Sequence, residues 1–566
     1  MYSVAKNIQI VIAALKAHDI NQLVLNPGGT NAPFIRNIQD DHFFTCYSVV
    51  DERSALYFAI GIYLATGKPV AVCCTSAQAT RNYLPGLTEA FYKHVPILAI
   101  TFSKHPQYTY QEYMQAPDQT SLPKDAVRES FSLPYVCNEH DRIHCERLVN
   151  EAILGLTHHI PAPIQLNVPM LDTELSLDTV AELPAIKIIK RYTKDDIRNF
   201  DLKDKKVLIV VGENRGGDFG RIKDFASKTN SVVYVNHLSN LQNEYTVQGN
   251  LLLTCIDQEM FDKSFCPDVL ITIGGQTGDY PLYHKLAESQ VKYEHWRVSD
   301  RGDIVDTYDH LTRVYECSPN DFFDNYTGTT TCHEYFDKWS YETTNYKIDI
   351  DLPLSAAYVA QQMSKVIPEE SIVNFSILNS LRNWNLFRFQ NKVTCYCNVG
   401  AFGIDGCMST LLGQSVVSDN LCFMFIGDLS FFYDMNSLGI RHIKNNVRIV
   451  LVNNNGGVEF KLGGSEAQHR ETDKFIAAAN HFKKASGWAR DCGFDYFLVK
   501  EKADFENYIG KLVEKSENPI LLEIQIPDSN DSIAYRAIIK HNDRRSLSTK
   551  IKSKLSGELN KIIKRQ

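Results

Sequence analysis

Short runs of β-branched and apolar residues recur along the chain, each closed by a turn signal and followed by a stretch of helical periodicity. Gln22–Leu25 precedes Asn26-Pro27-Gly28-Gly29, Val70–Cys74 precedes Thr75-Ser76, and Ile97–Ile100 precedes Thr101. Strands alternating with helices predict parallel α/β sheets. The first block closes at Ile164–Pro169, and the weakly periodic stretch Leu171–Pro184 reads as a linker. A second α/β block opens at Lys206–Gly212 and carries the buried-type runs Ser231–Val235 and Val269–Ile273; the polar segment Ser318–Lys347 reads as another linker. The third block begins near Leu354 and holds Ser371–Phe375, Leu421–Ile426, Arg448–Val452 and Pro519–Ile526. The expected fold class is therefore α/β, with three consecutive parallel-sheet domains over 1–175, 185–340 and 350–535. Residues 536–566 form a basic C-terminal tail, expected as a solvated terminal helix or a frayed end, with an anionic partner as the alternative.

Composition narrows the partners. At roughly 150 residues per domain, 566 residues allow three or four domains, and a net charge of −8 has the wrong sign for a surface that holds a polyanion, so no nucleic acid is expected. Apolar runs such as Leu421–Ile426 fall far short of the roughly 20 residues of a membrane helix, so no membrane span is expected either. None of the 14 cysteines has Cys-x-x-Cys spacing; the nearest neighbours are Cys73-Cys74 and Cys395-Tyr396-Cys397, neither suited to a zinc knuckle. Thiols packed as small apolar residues, and a start without signal-peptide features, predict a cytoplasmic protein.

The candidate chemistry sits in the third block. Ile426-Gly427-Asp428-Leu429-Ser430 ends one buried-type strand, and Val452-Asn453-Asn454-Asn455-Gly456-Gly457 ends the next. Gly427 would allow a sharp turn at the carboxyl edge of a parallel sheet, where ligands of open α/β sheets bind. Asp428 offers an anionic oxygen, Asn455 a neutral one and the Gly457 carbonyl a third, a protein share suited to Mg²⁺ that also bridges two phosphates. The amides of Gly456 and Gly457, at the head of a helix, would face a pyrophosphate.

Gly-Asp followed, after the 25 residues between Asp428 and Asn454, by Asn-Asn resembles the thiamine diphosphate motif. Such an enzyme needs a carboxylate that hydrogen-bonds the aminopyrimidine and so promotes loss of the C2 proton. The resemblance places it at Glu52 in Val49-Val50-Asp51-Glu52-Arg53, whose other reading is a carboxylate favoured by a helix N-terminus. Further stretches are similar to one branch, the 2-succinyl-5-enolpyruvyl-6-hydroxy-3-cyclohexene-1-carboxylate synthases of menaquinone biosynthesis. They are Asp51-Glu52-Arg53, Val72–Ala90 with Ser76, Gly403-Ile404-Asp405-Gly406, Gly427–Ser430 with Tyr433–Asn436, and Asn453–Gly457, along with Gly274-Gly275 and His295-Trp296. The resemblance implies a pyrimidine-binding first domain, a central domain without cofactor and a pyrophosphate-binding third domain. It implies thiamine diphosphate contacts at Ser76, Gly403, Ile404, Gly427, Asp428, Leu429, Ser430, Asn455, Gly456, Gly457 and Val458, with Ile404 as the wedge under the cofactor. It also implies a homodimer or homotetramer in which Glu52 meets the cofactor site of another subunit.

At the positions where that branch holds substrate carboxylates with arginine, this chain departs. Asn26-Pro27-Gly28-Gly29-Thr30 stands for Ser-Pro-Gly-Ser-Arg, Ser103-Lys104-His105 for Asp-Arg-Pro and Asn398-Val399-Gly400 for Asn-Arg-Gly. Tyr280-Pro281 replaces a Lys-Arg pair, and Trp384 replaces an arginine, with Arg382 two places earlier. Each lost charge-assisted contact removes roughly 1.5–3 kcal/mol, so altered and less charged substrates are expected, with Thr30, Lys104, His105, Arg382 and Phe460 as candidate contacts. Gln115 matches a substrate-side glutamine. Glu459 lies on the helix that in many thiamine decarboxylases carries, slightly farther along, a proton-handling carboxylate; equally, it reads as a first-turn carboxylate that complements the helix dipole. The implied activity is decarboxylation of a 2-oxo acid with carboligation to a carbonyl or enone acceptor. Simple decarboxylation, the branch's own reaction and a noncatalytic thiamine-diphosphate-binding protein are the alternatives. Gly212–Gly217 lacks dinucleotide-fingerprint spacing and reads as a plain βα turn, and His140 and His144 read as surface residues.

Overall fold

The computed structural model describes residues 2–171, 179–197, 200–330, 332–462 and 470–545. Its strands are, in the first block, β1 (Tyr2–Ser3), β2 (Gln22–Leu25), β3 (Thr45–Ser48), β4 (Val70–Cys74), β5 (Ile97–Lys104), β6 (Ser130–Ser132), β7 (Ile164–Met170) and β8 (Thr179–Val180). The second block has β9 (Lys190–Thr193), β10 (Val207–Val211), β11 (Ser231–Tyr234), β12 (Thr246–Val247), β13 (Val269–Ile273), β14 (Glu294–Val298) and β15 (Leu311–Glu316). The third has β16 (Ile372–Phe375), β17 (Thr394–Cys397), β18 (Cys422–Gly427), β19 (Val447–Asn453), β20 (Asp495–Val499) and β21 (Ile520–Gln525). Three parallel-sheet α/β domains follow one another, as the alternation of strand and helix signals predicts. By contacts the chain forms two compact units, one up to Arg191 with Thr312–Val314, the other from the rest of the described chain and holding most of the second sheet and all of the third.

The first sheet runs β3-β2-β4-β5-β7-β6 and the third β17-β16-β18-β19-β21-β20. Numbered within their own blocks, both read 2-1-3-4-6-5, so one topology serves two domains. The second runs β12-β11-β10-β13-β14-β15-β9, whose first six strands have the 3-2-1-4-5-6 order of doubly wound folds. A short antiparallel pair, β1 with β8, lies outside these sheets.

Each central strand is apolar on both sides because helices cover both faces of its sheet. In the first sheet Leu23, Leu25, Ala71, Cys73, Leu98 and Ile100 pack into one core with helices Lys6–Ala17 and Glu139–Gly155. Val24, Val70, Val72, Cys74, Ile97 and Ala99 pack into the other with helices Glu52–Thr66 and Leu84–Tyr92. In the third sheet Val373, Phe375, Phe423, Phe425, Val450 and Val452 face helix Ala356–Met363, and Cys422, Met424, Ile426, Ile449 and Leu451 face helix Cys407–Val416.

Several expectations are corrected. The polar stretch 318–347 is no linker: it folds into helices Pro319–Asp324 and Glu334–Thr344, which sink Phe322, Phe323 and Trp339 into the central cores. A few large aromatics anchor it where overall polarity suggests otherwise. Of the other linker, 172–178 lie outside the described residues, as do 546–566 of the basic tail. Residues 536–542 belong to helix Asp528–Asn542, with Ile538 buried. Gly212 is explained by crowding: a Cβ there would lie 1.8 Å from the Gly275 carbonyl oxygen across the sheet edge. His140 and His144 are exposed, and all 14 cysteines are free thiols. No helix among the described residues is long and apolar enough to cross a membrane.

Candidate active site

In the second unit the turns after β16, β18 and β19 meet at the carboxyl edge of the third sheet. Gly427 pairs with Val452 at the last rung between β18 and β19, which sets Asp428 beside the Asn453–Gly457 turn. Asp428 is only 2% exposed. Its Oδ2 accepts the Gly456 amide at 3.0 Å and lies 3.1 Å from His481 Nε2, while Oδ1 accepts the amide of Leu429 at 2.7 Å.

The three consecutive asparagines divide their work. Asn453 donates through Nδ2 to Glu523 at 2.7 Å, and Asn454 to Asp531 at 2.8 Å. Both carboxylates are buried, and burial raises the Asp531 carboxyl, with hydrogen bonds from Ala356 and Asn454 opposing. Asn455 adopts φ 63°, the left-handed conformation that asparagine tolerates better than most residues, and its side chain makes no hydrogen bond to any described residue. Two neighbours are thus pinned by carboxylates behind the turn, and Asn455 is not. Leu378, on the adjacent turn after β16, also has a positive φ of 63°, and strained backbone of this kind clusters at functional sites.

Two expectations fail here. Gly427 has φ −83°, extended backbone open to any residue, so no sharp turn requires glycine. A Cβ at Gly427 would meet no protein atom within 4 Å, which leaves free space beside Asp428 for another group. The amides of Gly456 and Gly457 do not wait for a phosphate: the first donates to Asp428 and the second to the Ala477 carbonyl at 2.7 Å. The turn closes back on the chain because residues 477–480 pack over it.

Around this edge, Ser430 Oγ donates to the Ile404 carbonyl at 2.6 Å, tying the Gly403-Ile404 loop to helix Asp428–Tyr433. Ile404 is partly buried against the core and Val458 is buried, whereas Phe460 remains 40% exposed. Arg382 and Glu459 come together: both guanidinium end nitrogens donate to the carboxylate, one to each oxygen. Burial opposes the charge on Arg382, but Glu459 outweighs it and the guanidinium is held above its ordinary value. Trp384 and Val399 are core residues, the Trp384 ring lying tilted against Phe425 with centroids 4.3 Å apart.

The first unit holds the remaining candidates. Asp51 is the N-cap of helix Glu52–Thr66, accepting the amides of Arg53 and Ser54 at 2.9 and 3.3 Å. Glu52 is therefore not the cap; it is half-buried and accepts Asn82 Nδ2 at 3.0 Å. Thr30 Oγ1 lies 3.1 Å from Ser76 Oγ, and its amide donates to Thr75 at 3.2 Å. A Cβ on Gly28 would fall 2.2 Å from that of Thr75, so glycine is what lets the two turns touch. Ala77, next to Ser76, has φ 70° and is held through its amide by Gln119 Oε1 at 3.1 Å. Lys104 ends β5, and His105 begins the turn that follows.

Gln115 sits exposed on a loop at φ 58°. Gln119, four residues on, is buried and also donates to Thr80, the Phe102 carbonyl and Asn167. Sequence reasoning missed Gln119, His481, Asp531 and Glu523; none carries a local signal beyond being a polar residue in an otherwise apolar neighbourhood.

Residues 6–122 match the family described as thiamine pyrophosphate enzyme, N-terminal TPP binding domain. Fold, site and this match define a thiamine-pyrophosphate-dependent enzyme. Over 95% of its length the chain is 34% identical to the 2-succinyl-5-enolpyruvyl-6-hydroxy-3-cyclohexene-1-carboxylate synthase of Phocaeicola vulgatus and covers 98% of it. It is 33% identical to the synthase of that name from Bacteroides thetaiotaomicron, over 93% of this chain and 96% of the relative, and 31% to that of Bacteroides fragilis, over 94% and 98%. The chain belongs to the 2-succinyl-5-enolpyruvyl-6-hydroxy-3-cyclohexene-1-carboxylate synthase family.

Proposed function

We propose that the protein decarboxylates a 2-oxo acid with thiamine diphosphate and Mg²⁺ and transfers the remaining carbon unit to a carbonyl or enone acceptor. The observation that carries this reading is the buried Asp428 carboxylate set against the Asn453–Gly457 turn, with open space at Gly427. An almost fully buried carboxylate needs a counter-charge, and its close contacts are two backbone amides and His481, so a hard divalent cation fits the donor set. Asp428, Asn455 and the Gly457 carbonyl would hold Mg²⁺. Ser76, Gly403, Ile404, Leu429, Ser430 and Val458 would line the cofactor, with the pyrimidine on domain 1–175, the pyrophosphate on domain 350–535 and neither on domain 185–340.

When bound, thiamine diphosphate supplies the electron sink that lets a carboxylate leave as CO₂. Glu52, free of the capping role and, among the described residues, hydrogen-bonded to the neutral Asn82 amide, would accept a hydrogen bond from the pyrimidine. Its helix buries Ala55, Leu56, Ala59 and Ile60 yet leaves Tyr57 and Phe58 46% exposed and Leu64 64% exposed. An apolar second face on the helix that begins with Glu52 supports a site completed by another copy of the chain. Gln115, exposed on its loop, keeps the proposed substrate-side role, while buried Gln119 holds the Ala77 turn. Fourteen free thiols suit a reducing compartment, and the cytoplasm is the proposed location.

Incubation with thiamine diphosphate, Mg²⁺ and a panel of 2-oxo acids, with and without aldehydes and ketones, tests the reading through CO₂ release and coupled product. Identity above 30% along the whole chain favours a second reading, the relatives' own reaction, which 2-oxoglutarate with isochorismate in the same assay would reveal. Cofactor binding without exchange of its C2 proton for solvent deuterium would instead mark a noncatalytic binder.

A further inference from the structure

Arg382 and Glu459 reach one another from different turns of the same sheet edge. Arg382 belongs to helix Asn379–Trp384, after β16, and Glu459 opens helix Glu459–Leu462, after β19. The side chains keep 17% and 21% of their surface exposed. A planar fork on a planar carboxylate uses the directional capacity of both groups. Lys461, on the same short helix as Glu459, is committed in turn to Asp473 at 3.0 Å and Asp528 at 2.5 Å. The cations carried by these two helices are therefore neutralised by carboxylates of the chain itself.

An arginine that receives a substrate's distal carboxylate must present a free fork. Here an arriving carboxylate would have to displace Glu459 and leave it largely desolvated without a counter-charge. An apolar or uncharged group meets no such obstacle, so the pair acts as a device against one class of substrate.

We propose that Glu459 occupies Arg382 as a built-in carboxylate and that the donor is accordingly a 2-oxo acid with an uncharged side chain. This rests on the decarboxylase reading above and makes Arg382 and Glu459 specificity-determining residues. Pyruvate and short or branched aliphatic 2-oxo acids belong to the accepted class; 2-oxoglutarate does not.

The test compares the wild type, Glu459→Gln and the double variant Arg382→Met with Glu459→Gln, each supplied with thiamine diphosphate and Mg²⁺. CO₂ release is measured for pyruvate, 2-oxobutyrate, 5-methyl-2-oxohexanoate and 2-oxoglutarate, the last two differing by an isopropyl group in place of the distal carboxylate. Binding of 2-oxoglutarate is followed in parallel by calorimetric titration. The wild type is expected to favour the uncharged acids in kcat/KM. Glu459→Gln should shift the ratio of 2-oxoglutarate to 5-methyl-2-oxohexanoate by about tenfold or more, equivalent to about 1.4 kcal/mol, and should tighten 2-oxoglutarate binding. The double variant should lose both gains, which identifies Arg382 as the receptor. A wild type that prefers 2-oxoglutarate, or a ratio and affinity unmoved in Glu459→Gln, overturns the inference and leaves the decarboxylase reading in place. No CO₂ from any donor overturns both. Should Glu459→Gln fail to fold, the wild-type preference decides alone.

Discussion

His237 offers a quantitative handle on the junction that supports Arg382. Its ring is buried, and Nε2 donates to the Trp384 carbonyl at 2.9 Å, at the end of the helix that carries Arg382. Burial pushes the imidazole from 6.5 down to about 4; hydrogen bonds to the Trp384 and Phe387 backbone partly offset this, and the nearby Arg388 adds to it. The folded value lies below the unfolded one, so the unfolded chain binds the extra proton first as pH falls. The contribution is fully present above pH 6.5 and is lost progressively as pH drops towards about 4. Between pH 7.5 and 4.5 this shift gives a loss on the order of 2–3 kcal/mol from this one group. Urea-unfolding midpoints of the wild type and His237→Asn, measured across that range, isolate the effect, because every other titrating group is shared. The wild-type advantage should be largest near neutrality and shrink by roughly 2–3 kcal/mol at the acid end. Parallel stability curves for the two proteins would refute the buried neutral imidazole.

Three further outcomes follow from the site geometry. Glu52→Gln should lower turnover by about 10²–10⁴, the usual contribution of a positioned acid or base, with an unchanged melting temperature. Asp51→Ala should do the opposite, costing about 1 kcal/mol of stability through the lost cap and leaving kcat within a few-fold; an exchange of these two phenotypes would reverse the assignment. Asp428→Asn should weaken Mg²⁺-dependent retention of thiamine diphosphate in equilibrium dialysis by about tenfold or more, and an unaltered Mg²⁺ requirement would exclude Asp428 as a ligand.

How much was legible in the sequence depends on where a residue lies in its sheet. Val70–Cys74, Val207–Val211 and Cys422–Gly427 are central strands, covered on both faces, and their unbroken apolar runs announce them. Thr45–Ser48, Ser130–Ser132, Thr394–Cys397 and Asp495–Val499 are edge strands whose mixed residues look like ordinary loop. Cys395-Tyr396-Cys397 shows the point: read for metal spacing, it turns out to be an edge strand with Cys395 and Cys397 buried and Tyr396 outward. In the site, Asp428 and Asn454 could be paired from their spacing because they end neighbouring strands. His481, Glu523 and Asp531 could not, since their contacts with Asp428, Asn453 and Asn454 span 53, 70 and 77 residues. The same distance in sequence hid the exchange of roles by which Glu459 became the partner of Arg382.

Local pattern by itself determined that this chain alternates strand and helix in three blocks and places Asp428 and Asn455 at the ends of consecutive strands, because periodicity, turn chemistry and strand propensity act over a few residues. Only the tertiary structure decided that two sheets share the order 2-1-3-4-6-5 while the middle one takes 3-2-1-4-5-6. It also decided which buried carboxylate holds which asparagine, and that the arginine of one turn is neutralised by the glutamate of another. Those choices are made between groups of equivalent local character far apart in the chain, and burial and hydrogen-bond geometry select among them only once the sheets have formed.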